Sequence, residues 1–307
     1  WRSESAHDAV AIHGLNGRPL AAFFSGESML KQRVITALVL LALLLPALFA
    51  SNPMPFMALT VVMIAAGAWE WGRLNQVGSL WSWVGALLTL ALCGLAWRMG
   101  WVTSTPPQLW LMAGAGWVLL GTWMIHRGVA AWALWLKWLR WSIGLLLLAM
   151  AWLAMAQAHQ HGVNFLLSVL VLVWAADIGA YFAGKAFGKH KLAKNLSPGK
   201  SIEGAVGGYL LVMVLGVLGA TLFADHPYTQ GNFFALIQSS WGWSGMILVT
   251  ALCVAMSIQG DLFESQMKRV AGVKDSSALL PGHGGVLDRV DALLPALPLA
   301  MMLAQSV

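Results

Sequence analysis

The sequence contains little charge and almost no cysteine. Only 10% of its 307 residues are Asp, Glu, Lys or Arg, and its two cysteines, Cys93 and Cys253, both lie inside apolar runs. A disulfide framework or a cysteine zinc site needs several spaced cysteines, so both are excluded. Soluble domains of this length carry about a quarter of their residues as charges, which argues against that class.

Apolar residues make up 59% of the chain and fall in long runs separated by short polar segments. A run of about 20 apolar residues is long enough for a helix to cross a bilayer. The sequence therefore predicts an all-α integral membrane protein with about nine transmembrane helices. Their expected positions are 34–50, 54–72, 80–97, 108–125, 141–158, 164–184, 204–223, 241–259 and 287–304.

The positions of the basic residues predict how these spans are oriented. With a cytoplasmic N-terminus, every Lys and Arg from Lys31 onward except Arg98 falls on the cytoplasmic side. Cytoplasmic loops are enriched in Lys and Arg, so we expect a cytoplasmic N-terminus and an extracytoplasmic C-terminus. The net charge of +6 is spread between apolar runs, which argues against a nucleic-acid partner.

Three segments are distinguished by composition. Residues 1–28 are mixed and polar and precede Met29, a short basic leader and the first apolar run, so we interpret them as an extension outside the fold. Residues 29–160 contain the N-terminal transmembrane helices. Residues 161–307 contain further spans and two predicted cytoplasmic loops, 184–204 and 260–291, in which we expect the chemistry to reside.

The second loop carries carboxylates in pairs. Asp261 and Glu264 are three residues apart, as are Asp288 and Asp291, so each pair shares a face if its segment is helical. Mg²⁺ commonly takes one or two carboxylates and completes its octahedron with water and substrate phosphates. The alternative is that these acids are solvated loop charges. The PGHGG segment between them either lets backbone N–H groups approach an anion or forms a plain turn.

The first loop contains SPGKS but does not match a P-loop. That pattern requires Gly five residues before Gly199, where this chain has Lys194, and it follows a strand instead of a membrane span. The loop still offers donors for phosphate oxygens, with an acid expected to orient the lysine or support a metal: Ser197, Lys200, Ser201 and Glu203.

Asp177 lies part-way through the predicted span 164–184. A carboxylate inside a membrane span is costly, which makes this residue a functional candidate, although pairing with Lys185 two turns later would be a structural explanation. Glu70 lies near the cytoplasmic end of the second span, where a purely structural role is sufficient.

The longest motif runs from Ser265 to Asp291. It reads S-x-x-K-R, four residues, K-D, and then P-x-H-G-G-x-x-D-R-x-D. This stretch resembles the signature of the phosphatidate cytidylyltransferases, also called CDP-diacylglycerol synthases. GDLFES, DIGAYFAGKAFGKHKLA and SPGKSIEG are also similar to patterns of that family, so the resemblance covers about 170–291 closely. Ala292, where Ser is common, and the AKNL lead-in to SPGKS depart from the pattern without removing a charge.

The resemblance implies transfer of a cytidylyl group from CTP to phosphatidate, with release of pyrophosphate, by a homodimeric multi-span membrane protein. It implies Mg²⁺ as cofactor, leaves room for a second cation, and implies an active site at the cytoplasmic face of a bacterial-type inner membrane. The implied metal ligands are Asp261 and Asp288, with Asp291, Glu264 and Asp177 nearby. The implied catalytic residues are Asp261, Asp288, Lys268, Arg269, Lys274, Asp275 and Arg289. The implied substrate-binding residues are Ser197, Lys200, Ser201, Glu203, Ser265, His283, Gly284, Gly285 and Lys185.

Three other functions would use similar residues. A CDP-alcohol phosphotransferase is disfavoured because its D-G-x-x-A-R core is absent. A membrane-bound lipid or polyprenol kinase needs similar phosphate and metal groups, and remains an alternative. A cation-coupled transporter using Asp177 and Glu70 is an alternative of a different class, although an odd number of spans without an internal repeat disfavours an inverted-repeat transporter.

Overall fold

The computed structural model describes residues 20–305 except 195, 225, 227 and 228. Nearly all of the described chain is helical, as predicted. The helices are α1 (Leu20–Leu48), α2 (Met54–Leu74), α3 (Ser79–Arg98), α4 (Pro107–Gly116), α5 (Thr122–Ala133), α6 (Lys137–His161), α7 (Val163–Phe187), α8 (Ile202–Thr221), α9 (Phe233–Ala271), α10 (Leu287–Val290) and α11 (Leu293–Gln305). A π-helical turn, Trp117–Gly121, joins α4 to α5.

Among the residues that the structure describes, eight helical segments are long and apolar enough to cross a membrane, which supports the integral membrane class. They are the part of α1 from Lys31, then α2, α3, the α4–α5 segment, α6, α7, α8 and α9. Of the predicted N-terminal extension, residues 1–19 lie outside the described residues, and residues 20–28 belong to α1.

The predicted last span, 287–304, is helical over almost all of its length. It consists of α10, of 4 residues, and α11, of 13 residues, and Asp291 between them has helical dihedral angles. At about 1.5 Å per residue the stretch 287–305 is about 28 Å long, close to a hydrocarbon core of about 30 Å. Leu297 and Met301 of α11 are fully buried, the helix packs against α4, α6 and α9, and the Gln305 amide at its end donates to Thr105 in the α3–α4 connection. The segment therefore runs through the core of the helix bundle, and the count of nine spans stays a prediction.

Helix α9 extends further than the sequence predicts. Its 39 residues are interrupted at Gly242, whose positive φ of 68° suits a residue without a Cβ, and it ends at a left-handed Gly272. The segment after Gly242 is about 43 Å long, so its last turns reach beyond a hydrocarbon core of about 30 Å. Residues 260–271, which were predicted to begin a loop, are thus helical.

Helices α7 and α8 pack closely through small residues. A Cβ added at Gly208 would lie 2.4 Å from the Ala176 carbonyl oxygen, and one at Gly207 would lie 2.1 Å from Ala183 Cβ. The connection between the two helices is an antiparallel hairpin of β1 (Lys191–Ala193) and β2 (Ser197–Ser201), in a segment predicted to be a loop. Close packing holds this hairpin beside the end of α9.

Candidate active site

A polar cavity of about 360 Å³ lies between α7, α8, α9 and the hairpin. Its polar lining comes from three of these elements, as Asp177 and Tyr181 of α7, Ser197, Lys200 and Ser201 of β2, and Asp261 of α9. We term this cavity the hairpin pocket. The Lys200 ammonium lies 2.7 Å from the Asp261 carboxylate, and both side chains are partly exposed. A cation beside two acids, open to solvent, is able to receive a phosphate group where a further cation balances the acids.

A second group of charges lies further along α9. The Lys268 ammonium is 2.7 Å from Glu264 Oε2 and 2.6 Å from Asp288 Oδ1. We term these three residues the signature cluster, because all belong to the long sequence motif or directly precede it. Glu264 and Lys268 are one helical turn apart on α9 and form an ion pair along the helix.

The other oxygen of Asp288 is held by neutral donors. Asp288 Oδ2 accepts hydrogen bonds from the backbone N–H of Ser276 at 3.0 Å, from the Ser276 hydroxyl at 2.9 Å and from the Gly285 N–H at 2.8 Å. Burial by itself would raise the pKa of Asp288, but the hydrogen bonds from Lys268 and Gly285 outweigh it and lower the pKa to about 2. Asp288 is therefore an ionised, oriented carboxylate at neutral pH.

Asp291 connects the two groups of charges. Burial, together with the nearby negative charge of Asp261, raises the pKa of Asp291. Its Oδ1 accepts a hydrogen bond from the Ala292 N–H at 2.8 Å, and the Ser265 hydroxyl donates to Asp261 Oδ1 at 3.3 Å. The end of α9 and the start of α10 thus concentrate more acids than the two lysines can neutralise.

Whether these acids fit Mg²⁺ depends on how their carboxylate oxygens are already bonded. Within the described ranges, no three His, Cys, Asp or Glu side chains form a metal-holding group. Lys200 and Lys268 contact the expected ligands instead. Glu264 Oε1, however, is buried and has no hydrogen-bond partner in the described part of the chain. Because Mg²⁺ uses few protein ligands when a substrate phosphate completes its shell, the acid-rich set fits an ion bound jointly with substrate.

Glu70 of α2 lies far along the chain from the signature motif, residues 265–291, but contacts it in the fold. Its side chain is 0% exposed. Its Oε1 accepts from the Ser277 hydroxyl at 2.5 Å and the Val286 N–H at 2.9 Å. Its Oε2 accepts from the Ser276 hydroxyl at 3.2 Å and the Leu287 N–H at 2.7 Å. The available sequence signal is an acid near the end of an apolar span, for which the sequence suggested a structural role or a part in cation transport.

Comparison with known proteins places these residues in a family. The model of the cytidylyltransferase family matches residues 31–307. The chain belongs to the cytidylyltransferase family. A relative named phosphatidate cytidylyltransferase from Pseudomonas aeruginosa is 40% identical, over 88% of this chain and 95% of its own length. A relative of the same name from Haemophilus influenzae is 36% identical, over 88% and 96% respectively. One from Brucella suis is 32% identical, over 88% and 91%.

The structure gives Glu203 and Asp177 of this cytidylyltransferase other contacts than those expected from the sequence. Glu203 was expected to orient Lys200 or support a metal, but its carboxylate accepts from the backbone N–H groups of Lys189 and His190 and lies 2.6 Å from His190 Nδ1. Glu203 therefore fixes the start of the hairpin. No ion pair joins Asp177 to Lys185 among the described residues, and the Lys185 ammonium lies 5.9 Å from the Tyr181 ring centroid.

The remaining expected residues lie around the signature cluster. The PGHGG turn is held by α1, because Arg33 Nε donates to the Gly282 carbonyl and the Thr36 hydroxyl donates to the Pro281 carbonyl, each at 2.9 Å. The Arg289 side chain donates to the His283 carbonyl oxygen. Four of the expected catalytic residues lie at the exposed surface: Arg269, Lys274, Asp275 and Arg289.

Gly285 occupies a position in this family member where a side chain has no room. A Cβ there would lie 1.9 Å from Ser276 Oγ and 2.6 Å from Glu70 Oε1. We expect Gly285→Ala to destabilise the folded protein by about 1–3 kcal/mol through overpacking, and to reduce activity about tenfold or more. Thermal melting in detergent and enzymatic assay measure the two effects. Gly94→Ala is the control, because a Cβ there meets no atom within 4 Å; equal effects of both substitutions would contradict the argument.

Proposed function

We propose that this protein transfers the cytidylyl group of CTP to phosphatidate, producing CDP-diacylglycerol and pyrophosphate for phospholipid synthesis. The observation that carries the proposal is the acid-rich end of α9, where the hairpin pocket and the signature cluster meet. Family membership and the names of the relatives give the same direction. Lys200 and Lys268 are the cations closest to the acids in the two groups.

The reaction needs charge neutralisation more than it needs a base. A phosphate monoester has a second pKa of about 6, so the attacking oxygen of phosphatidate is largely deprotonated at neutral pH. This oxygen forms a bond to the α-phosphorus of CTP, and the bond from that phosphorus to the oxygen bridging to the β-phosphorus breaks. The electron pair leaves with pyrophosphate. Positioned cations are the usual means of stabilising such a transition state.

The two lysines have separate parts in this proposal. Lys200 lies in the hairpin pocket beside Asp177 and Asp261, where it would receive a substrate phosphate. Lys268 is held between Glu264 and Asp288, close to the turn of glycines, where it would neutralise charge on the leaving group. His283 is not required as a base, since the attacking oxygen is already largely deprotonated at neutral pH.

Mg²⁺ is part of the proposal as the cofactor. Asp261, Glu264 and Asp291 would hold the ion together with substrate phosphates, while Asp288 orients Lys268 beside it. When bound, Mg²⁺ would neutralise phosphate and pyrophosphate oxygens. The excess of acids over lysines at this end of α9 supports this assignment.

The membrane arrangement extends the same proposal. The acid groups lie where α9 leaves the hydrocarbon core, and the lysines and arginines around them favour the cytoplasmic side. We place the site at the cytoplasmic face of a bacterial inner membrane, with the N-terminus on that side, so that soluble CTP and a lipid headgroup can meet there. A homodimer is also proposed, on the family resemblance.

Pyrophosphate release is the experiment that tests the function. The detergent-purified protein is assayed with CTP, phosphatidate and Mg²⁺, and each component is then omitted in turn. We expect release only when all three are present, with CDP-diacylglycerol in the lipid extract. Formation of CDP in place of pyrophosphate would indicate the kinase alternative. No turnover by a folded, lipid-supplemented sample would contradict the proposal, and ion-driven uptake into proteoliposomes would then test the transporter alternative.

A further inference from the structure

Glu70 is a buried carboxylate that the proposed reaction does not use. It belongs to α2, outside residues 170–291, which resemble the family most closely, and it is 0% exposed. An ionisable group is rarely buried without compensation, because removing its charge from water is costly. In this structure four donors from the signature motif compensate it, two at each oxygen.

We propose that Glu70 is a positioning residue for cytidylyl transfer, which holds the segment Ser276–Leu287 so that Asp288 and Lys268 keep their arrangement. This inference rests on the proposed function. Within the described part of the chain, Glu70 has no hydrogen bond or ion pair to the proposed metal ligands Asp261, Glu264 and Asp291 or to the two lysines. It acts through the backbone and two serines of the motif.

The connection from Glu70 to Asp288 passes through one hydroxyl group. Ser276 Oγ lies 3.2 Å from Glu70 Oε2 and 2.9 Å from Asp288 Oδ2. A serine hydroxyl has a single proton, so it donates to one of the two carboxylates at a time. The backbone N–H of Ser276 remains bonded to Asp288 in either case. Moving Glu70 or neutralising it therefore changes the donors that reach Asp288.

A second connection passes through the start of α10. The N–H groups of Val286 and Leu287 point at the Glu70 carboxylate at 2.9 and 2.7 Å, where they have no partner within the helix. Asp288 follows directly in the chain, so these two bonds fix the direction from which it approaches Lys268. The Gly285 position, which lacks space for a Cβ, lets the carboxylate reach this turn.

The acid at position 70 is matched to its donors. Each carboxylate oxygen lies within hydrogen-bond distance of one hydroxyl and one backbone N–H, and the Ser276 hydroxyl is shared with Asp288. In Glu70→Gln, one oxygen is replaced by an NH₂ group that cannot accept them and that would face an N–H donor. The side-chain volume is almost unchanged, so the substitution tests hydrogen bonding and charge without creating a cavity.

Glu70→Gln is tested by kinetics and by amide hydrogen exchange on the purified full-length protein. We expect kcat to fall about 10-fold to 100-fold, the equivalent of one or two charge-assisted hydrogen bonds, while KM for CTP changes by less than about threefold. We also expect faster exchange in peptides covering 274–287, with exchange of α6 unchanged. A residue that contributes only stability would leave kcat of the folded protein unaltered.

Two further variants complete the test. Ser277→Ala removes one hydroxyl donor to Glu70, and we expect a loss of kcat of about threefold to tenfold in the same direction; it decides the matter if Glu70→Gln does not fold. Gln157→Leu is the control, because Gln157 is a buried acceptor, 2.6 Å from Trp110 Nε1 and far along the chain from the motif. It should lower the melting temperature and leave kcat unchanged.

The outcomes separate this inference from the proposed function. The positioning role is overturned if both Glu70→Gln and Ser277→Ala keep kcat within twofold of the wild type and show wild-type exchange over 274–287. If Glu70→Gln does not fold, the same result for Ser277→Ala alone overturns it. Loss of stability with unchanged kcat overturns it equally. If the wild-type protein itself releases no pyrophosphate, the proposed function fails, while the exchange experiment still reports whether Glu70 holds the segment.

Discussion

Replacing Asp288 with Asn is expected to lower kcat by about 10³-fold, which is the loss seen when an oriented charge-stabilising group is removed from an active site. Asp288 Oδ1 receives the Lys268 ammonium at 2.6 Å, and Oδ2 receives three donors from Ser276 and Gly285. An Asn side chain has one acceptor oxygen and an NH₂ group, so it cannot serve both sets of donors. Lys268 would then pair with Glu264 alone and lose its fixed position.

Pyrophosphate release by Asp288→Asn, measured beside thermal melting in detergent, checks this prediction. Asp288→Glu is the matched comparison, because it keeps the charge and shifts it by one methylene group. We expect Asp288→Glu to retain more activity than Asp288→Asn and less than the wild type. A normally folded Asp288→Asn protein with full Mg²⁺-dependent activity would remove the signature cluster from the proposed mechanism.

The transmembrane class was predictable because bilayer thickness sets the length of an apolar helix. Helix α11 shows what this rule leaves open. Its apolar run has the composition of a span, and the helix is surrounded by protein. Run length alone does not tell a lipid-facing helix from one packed between other helices, since both environments are apolar.

The charged end of α9 was misassigned for a related reason. Its density of charge suggested a loop, although the spacing of Asp261, Glu264 and Lys268 is helical. The spacing was the better indicator, because Glu264 and Lys268 form an ion pair one turn apart. The length of α9 explains both features, since the helix is longer than a hydrocarbon core requires, and the charges of its last turns pair with one another.

The sequence patterns do not predict which distant segments come into contact. Local spacing brings Asp261 near Glu264, but the approach of Lys200 to Asp261 depends on the packing of α7 against α8 and on the hairpin between them. Glu70 and Ser276 are separated by 206 positions in the chain. A single sequence contains no signal that pairs them, so the role of Glu70 required the three-dimensional arrangement.

Replacing Lys200 with Met is expected to lower kcat/KM by about 10²-fold to 10³-fold. The Lys200 ammonium lies 2.7 Å from Asp261 in a pocket that Asp177 also lines. Met keeps the length of the side chain but leaves these two acids without their cation. An incoming phosphate would then meet negative charge, so both binding and transition-state stabilisation are lost. Initial rates over a range of CTP and phosphatidate concentrations measure the effect.

Lys191→Met is the control that separates a specific contact from general attraction. Lys191 lies on the same hairpin and is exposed, so its removal changes net charge by the same amount without touching the pocket. We expect a loss of less than about threefold, reduced further by salt, because exposed charges are screened. Equal losses for the two lysines would mean that the hairpin acts only as a basic surface. A large loss confined to Lys200, non-additive with Asp261→Asn, would place the pair at the reacting phosphate, since residues in contact couple in a double-mutant cycle.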